Sequence, residues 1–216
     1  MKSQTPNKSS FNKKPLKNQS IISPAQHNFP ILTVLIGLSA LSTTLSSQLT
    51  SLLQFDRTAI MDGGVWRVFT GHLTHWSLSH LFWDILVFLL LAGVIERFNR
   101  RRLLACFASA SLIISLLVFT FLPEMTFYRG LSGIDSGLFM MLLVMLYRKN
   151  ASGHDLLHKI PYLLLGLLYI GKTVFELTTA QAFFVESSDL FIPVPLAHLG
   201  GAFTGWIIGT LYCLEC

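Results

Sequence analysis

The chain is poor in charge: Asp, Glu, Lys and Arg make up 12% of its 216 residues, while hydrophobic residues make up 52%. Soluble domains carry charge on about a quarter of their residues, so an ordinary water-soluble fold is excluded. Cysteine is scarce as well. Three residues, Cys106, Cys213 and Cys216, map to ends of apolar runs expected on the cytoplasmic side, where thiols stay reduced, and the lone C-x-x-C of the last two lacks the second half of a zinc site. No H-E-x-x-H occurs, and no inverted repeat of the kind that marks many transporters. Alternating strand patterns are missing too, which removes a membrane barrel. The formal charge of +5 sits at the ends of apolar runs, so it points to a membrane rather than to nucleic acid.

What the chain has is apolar length. Six runs, 31–53, 76–96, 103–122, 131–147, 160–178 and 196–214, reach or approach the roughly 20 helical residues that cross a hydrocarbon core. The expected fold class is all-α, a polytopic membrane protein with a bundle of six transmembrane helices over residues 31–216. Residues 1–30, rich in Ser, Asn, Lys and Pro, read as a disordered basic arm. Their long polar lead and the full-length run that follows argue against a signal peptide. Basic residues set the orientation, because short cytoplasmic loops collect them. The arm holds Lys2, Lys8, Lys13, Lys14 and Lys17, the second loop Arg97, Arg100, Arg101 and Arg102, and the fourth Arg148, Lys149 and Lys159, against Arg57, Arg67 and Arg129 on the other side. Both termini are therefore expected in the cytoplasm.

With the amino terminus inside, the second, fourth and sixth runs all descend from the outer face, so their first turns share one leaflet. Those turns hold His75, His80 and Asp84; Ser132, Asp135 and Ser136; and His198. Polar groups at membrane depth face a bundle interior or a water-filled cavity, so their convergence marks a candidate site. At 1.5 Å per residue the fourth run measures roughly 26 Å, short of the apolar thickness of about 30 Å. Its outer end, with Ser132, is expected in a depression below the membrane surface. A helix amino terminus there offers N–H groups and partial positive charge to a developing oxyanion. Gly133 and Gly137 on one run, and Gly201, Gly205 and Gly209 on the other, are spaced by four, a pattern that lets backbones pack closely. Such a contact would bring His198 within reach of Ser132 as general base.

These residues also carry a family pattern. From "VWRVFT" to "AHLGGAFTG" the sequence resembles the rhomboid intramembrane serine proteases. "GLSG" at 130–133 is similar to their nucleophile box, "AHLGGAFTG" to their histidine helix, and "HWSLSHLFWD" to the signature of their second helix. "WR" at Trp66 and Arg67 and "ER" at Glu96 and Arg97 match further boxes. The resemblance implies a six-helix core in which a Ser132–His198 dyad, with no third acid and no cofactor or metal, cleaves membrane-anchored substrates from the outer side. The oxyanion would be held by the Ser132 N–H, His80 and the side chain at 84, with Gly130, Gly133, His75, Asp135 and Ser136 lining the cavity. The fifth helix and the loop before the sixth would form a gate and cap. Implied substrates carry a small residue beside the cut and a helix-destabilising sequence after it.

Two positions depart from the pattern. Asp84 stands where an Asn usually donates to the oxyanion, so the site requires this carboxyl to be protonated or turned away. Ser136 stands where a Tyr usually stacks on the base, so His198 needs another orienting partner, for which Asp135 and Ser136 are the candidates. With "RGLSG", these departures are similar to rhombosortase-like members, which implies trimming of carboxy-terminal anchors of exported proteins in a bacterial inner membrane. Among the remaining residues, His72, His75, His80 and Asp84 lack a metal-site motif. Lys172 and Glu176, four apart, read as a paired or snorkelling couple near the outer end of the fifth run, with gating as the alternative. Glu96 and Arg97 read as ties between loop ends and the second helix. The rival readings are a non-catalytic relative that binds or chaperones membrane proteins, which Asp84 favours, and a small transporter, which polar residues crowded into the outer third disfavour.

Overall fold

The computed structural model describes residues 29–149, 157, 159–179 and 194–214. The predicted arm up to residue 28, the cap loop before the last helix, Cys216 and the side chain of Cys213 lie outside them.

The first apolar run does not form one straight helix. Helix α1 (Ile31–Leu45) stops at Ser46, which takes extended backbone angles, and α2 (Ser47–Leu53) leaves at 112° to it. Hydroxyls explain the break. The Ser46 side chain accepts from Leu49 N–H as the cap of α2, and Thr50 Oγ1 donates to the Thr43 carbonyl at 2.6 Å. Side chains in the stretch TTLSSQLTS thus satisfy backbone groups that a continuous helix would use. The start of α1 is capped from afar. Glu96 accepts from Leu32 N–H at 3.0 Å, from Thr33 N–H at 2.8 Å and from the Thr33 hydroxyl at 2.8 Å, and it pairs with Arg100 rather than Arg97.

After α2 the chain crosses a loop region made of β1 (Phe55–Asp56), α3 (Arg57–Met61), α4 (Arg67–Thr70) and a 3₁₀ turn at Gly71–Leu73. Arginines anchor it by capping helix carboxyl ends, where carbonyls lack partners and the dipole favours a cation. Arg67 donates to the carbonyls of Ser51 and Gln54, both at 2.9 Å, and Trp66 Nε1 to that of Leu52 at 3.3 Å, closing the end of α2. Arg57 donates to Phe119, Val118 and Leu122 carbonyls at 2.8 to 3.0 Å, closing the end of the long helix α6.

The long helices α5 (Leu78–Phe98), α6 (Arg100–Phe121), α7 (Ser132–Lys149), α8 (Ile160–Thr179) and α9 (Pro195–Leu214) follow, and α1 packs against α5. Between α6 and α7, β2 (Phe127–Tyr128) pairs antiparallel with β1, Phe55 opposite Tyr128. Helix α7 is central and touches α5, α6, α8 and α9. Residues 133–138 are all buried, as expected of a helix enclosed on every side. Its contact with α9 runs through glycine: a β-carbon at Gly201 would overlap the Gly133 carbonyl oxygen, and one at Gly205 the Gly137 oxygen. The outer helices expose leucines such as Leu86, Leu90, Leu163 and Leu167, the surface a lipid solvent requires.

On length and apolarity α5, α6 and α8 qualify as membrane spans, and α1 with α2 makes a fourth if the bent pair is one crossing. Helix α7 carries Asp135, Arg148 and Lys149 within 18 residues. Helical segments underlie all six predicted runs, but the first is broken rather than continuous.

Candidate active site

Helix α7 begins at Ser132, and the residue two before it is Gly130, with φ +123. That left-handed angle favours glycine, and space demands it as well: a β-carbon would sit 2.9 Å from the His80 ring and 3.2 Å from Asp84 Oδ2. The strand leading in is clamped by Arg129, which bonds Gln54 Oε1 and lies over the Trp76 ring at 4.2 Å. Tyr128 beside it packs edge-on against Phe55 and His72. The amino end of α7 is thereby fixed from the loop side.

Two groups of side chains meet at this end. On one flank, Ser132 Oγ lies 3.1 Å from His198 Nε2, in the first turn of α9. The other ring nitrogen, Nδ1, is 2.8 Å from Glu176 Oε2, and Lys172 Nζ donates to Oε1 of the same carboxylate at 2.7 Å. Tyr169, one turn earlier on α8, donates its hydroxyl to the His198 carbonyl at 3.0 Å. His198 and Glu176 are buried, and Ser132 is half-buried.

On the other flank, one oxygen of Asp84 accepts from Leu131 N–H at 2.9 Å and Ser132 N–H at 3.1 Å, and it also lies 3.2 Å from Nε2 of both His75 and His80. The two imidazoles pack edge to face, 5.1 Å apart. Asp84 is thus turned toward the amide that would serve an oxyanion. Burial pushes His75, in the loop before α5, below its ordinary value, while the Asp84 carboxylate pulls the other way. His72 is pushed down to about 4 by burial and stays neutral; its Nε2 meets the Ser111 carbonyl at 3.1 Å and Ser115 Oγ at 3.2 Å, a tie between loop and α6.

The remaining residues separate. Ser136 Oγ donates back to the Ser132 carbonyl at 2.9 Å, and Asp135 is buried with Oδ1 unpartnered among the described residues. Gly133 faces Ile114 and the Ala197 carbonyl, a helix contact rather than a cavity wall. The side chain that meets Nδ1 of His198 is that of Glu176, whereas Ser136 bonds the Ser132 carbonyl. Sequence reasoning read Glu176 as the paired or snorkelling mate of Lys172, with gating as the alternative, and did not join it to His198. The missed signal was parity: the fifth run is antiparallel to the fourth and sixth, so its last turns lie at the end of the bundle where the first turns of its neighbours meet. Among the described residues no group of three or more His, Cys, Asp and Glu side chains is arranged to hold a metal ion.

The arrangement pairs a hydroxyl with an imidazole at a helix amino terminus, inside an apolar bundle, which is the equipment for acyl transfer. A family model of the Rhomboid domain matches residues 62–215. No curated protein matches the chain.

Proposed function

The chain belongs to the rhomboid family, and from that premise we propose that it is a serine endopeptidase of the membrane, cutting membrane-anchored proteins near or within their transmembrane segments. The observation that carries this reading is the 3.1 Å approach of Ser132 Oγ to His198 Nε2. In the reaction, Nε2 takes the hydroxyl proton as Oγ bonds to the peptide carbonyl carbon. The tetrahedral oxyanion collapses, the C–N bond breaks, and the leaving amine takes the proton from Nε2. Water, deprotonated by the same nitrogen, then hydrolyses the ester and frees Ser132.

The six helical segments would cross the bilayer as a six-span bundle with both termini cytoplasmic, supported by the arginines and lysines at the ends of α5 and α7. The first turns of α5, α7 and α9 then open on the outer side. A bacterial inner membrane and trimming of small carboxy-terminal anchors, as in rhombosortase-like relatives, fit Asp84 and Ser136 at their departing positions. Substrates are transmembrane proteins; neither nucleic acid nor cofactor enters the scheme.

A fluorophosphonate probe on full-length protein in detergent tests the nucleophile. Wild type is expected to be labelled, and Ser132→Ala to take up no probe; equal labelling of both would remove the serine from the reaction.

Asp84 supports a second reading, that of a non-catalytic membrane-protein binder, because its oxygen already accepts from the Ser132 amide. Two N–H groups and two imidazoles around Oδ2 hold Asp84 as an acceptor, whereas an amide at this position would offer the oxyanion an N–H. Asp84→Asn is therefore expected to retain cleavage and to raise its rate. Cleavage of a membrane-anchored reporter by both proteins checks this, and an inactive Asp84→Asn would favour the binder.

A further inference from the structure

Helix α8 is mostly lipid-exposed, yet its two buried residues, Thr173 and Glu176, are both polar. A buried carboxylate needs a cation and hydrogen-bond donors to be tolerated. Glu176 has Lys172 Nζ at 2.7 Å on one oxygen and His198 Nδ1 at 2.8 Å on the other. Tyr169, Thr173 and Glu176 lie on one face of α8, and two of the three reach His198, at its carbonyl and at its ring. This is more than the i, i+4 ion pair of a helix surface.

We infer that Glu176 is the positioning acid of a Ser132–His198–Glu176 triad, held in place by Lys172. The inference rests on the serine-protease reading above and deepens it. A neutral imidazole carries one N–H. An ionised carboxylate only accepts, so Glu176 draws that proton onto Nδ1 and leaves the Nε2 lone pair facing Ser132 Oγ. When Nε2 takes the serine proton, the resulting imidazolium lies against a negative charge. Lys172 serves by bonding the carboxylate oxygen that His198 does not use, which sets the rotation of the carboxylate. The wide aromatic ring absent at Ser136 is thereby replaced by a hydrogen bond from a different helix.

The test has two readouts on full-length protein in detergent micelles. The first is the rate of phosphonylation by a fluorophosphonate, in which the Oγ–P bond forms, fluoride leaves and the serine proton passes to Nε2. Glu176→Gln is expected to lower it by about 10²–10⁴-fold, the loss that follows when the acid orienting a catalytic histidine becomes an amide. Glu176→Asp should recover part of the rate, which a space-filling role would not require. The second readout is the ¹⁵N spectrum of histidine-labelled wild type, assigned by loss of a signal in His198→Gln. The neutral ring is expected to carry its proton on Nδ1. A wild-type proton on Nε2 overturns the inference, even if Glu176→Gln fails to fold. Wild-type labelling rates in folded Glu176→Gln overturn it too, and leave the serine reading standing. A wild type that takes up no probe removes the serine reading and the triad with it.

Discussion

Ser132→Ala is expected to abolish cleavage of a membrane-anchored reporter, and His198→Ala to slow it by about 10²–10⁴-fold, the usual share of a positioned general base. Both substitutions disable one event, transfer of the hydroxyl proton across 3.1 Å to Nε2. Their effects should therefore not add: the double variant is expected to be no slower than Ser132→Ala alone. Single-turnover cleavage in liposomes, on samples that remain monodisperse, measures all three. A His198→Ala protein that cuts at the wild-type rate would take the imidazole out of the chemistry.

Gly201→Leu is expected to cost the fold about 4 kcal/mol or more, at the extreme of single substitutions. The obstacle is backbone, the carbonyl oxygen of Gly133, which cannot swing aside as a side-chain end does, so α7 and α9 must separate. Separation also reaches the site, since Ser132 and His198 lie at the head of the same seam. Loss of phosphonate labelling should accompany the drop in thermal midpoint. Gly93→Ala and Gly171→Ala are the controls: a β-carbon there meets nothing within 4 Å, and a change within about 1 kcal/mol, of either sign, is expected. Equal midpoints for Gly201→Leu and these controls would refute close packing at the seam.

Much of this geometry was legible in the chain. Glycines four apart on two runs mark a seam, and the parity of the runs predicts Ser132, His198, His80 and Asp84 at one end of the bundle; the fold brings all four to the head of α7. What escaped has physical causes. The bend at Ser46 depends on hydroxyls bonding backbone seven residues away, which an apolar window of 31–53 averages out. Glu176 was hidden by a nearer mate, because an i, i+4 lysine accounts for a carboxylate without a third residue. Arg57 and Arg67 counted as loop charges in the sequence, although each closes a helix end that only the folded loop brings within reach.

The bend at Ser46 has a consequence for the surrounding lipid. Fifteen residues of α1 rise about 22 Å, some 8 Å less than the average hydrocarbon thickness. If α1 is a crossing, the leaflets beside it dimple inward, because stretching a helix costs more than thinning a bilayer. A protein whose anchor is too brief for full-thickness membrane would lose that mismatch by drifting to this flank, and so would collect beside the bundle before any contact with its residues.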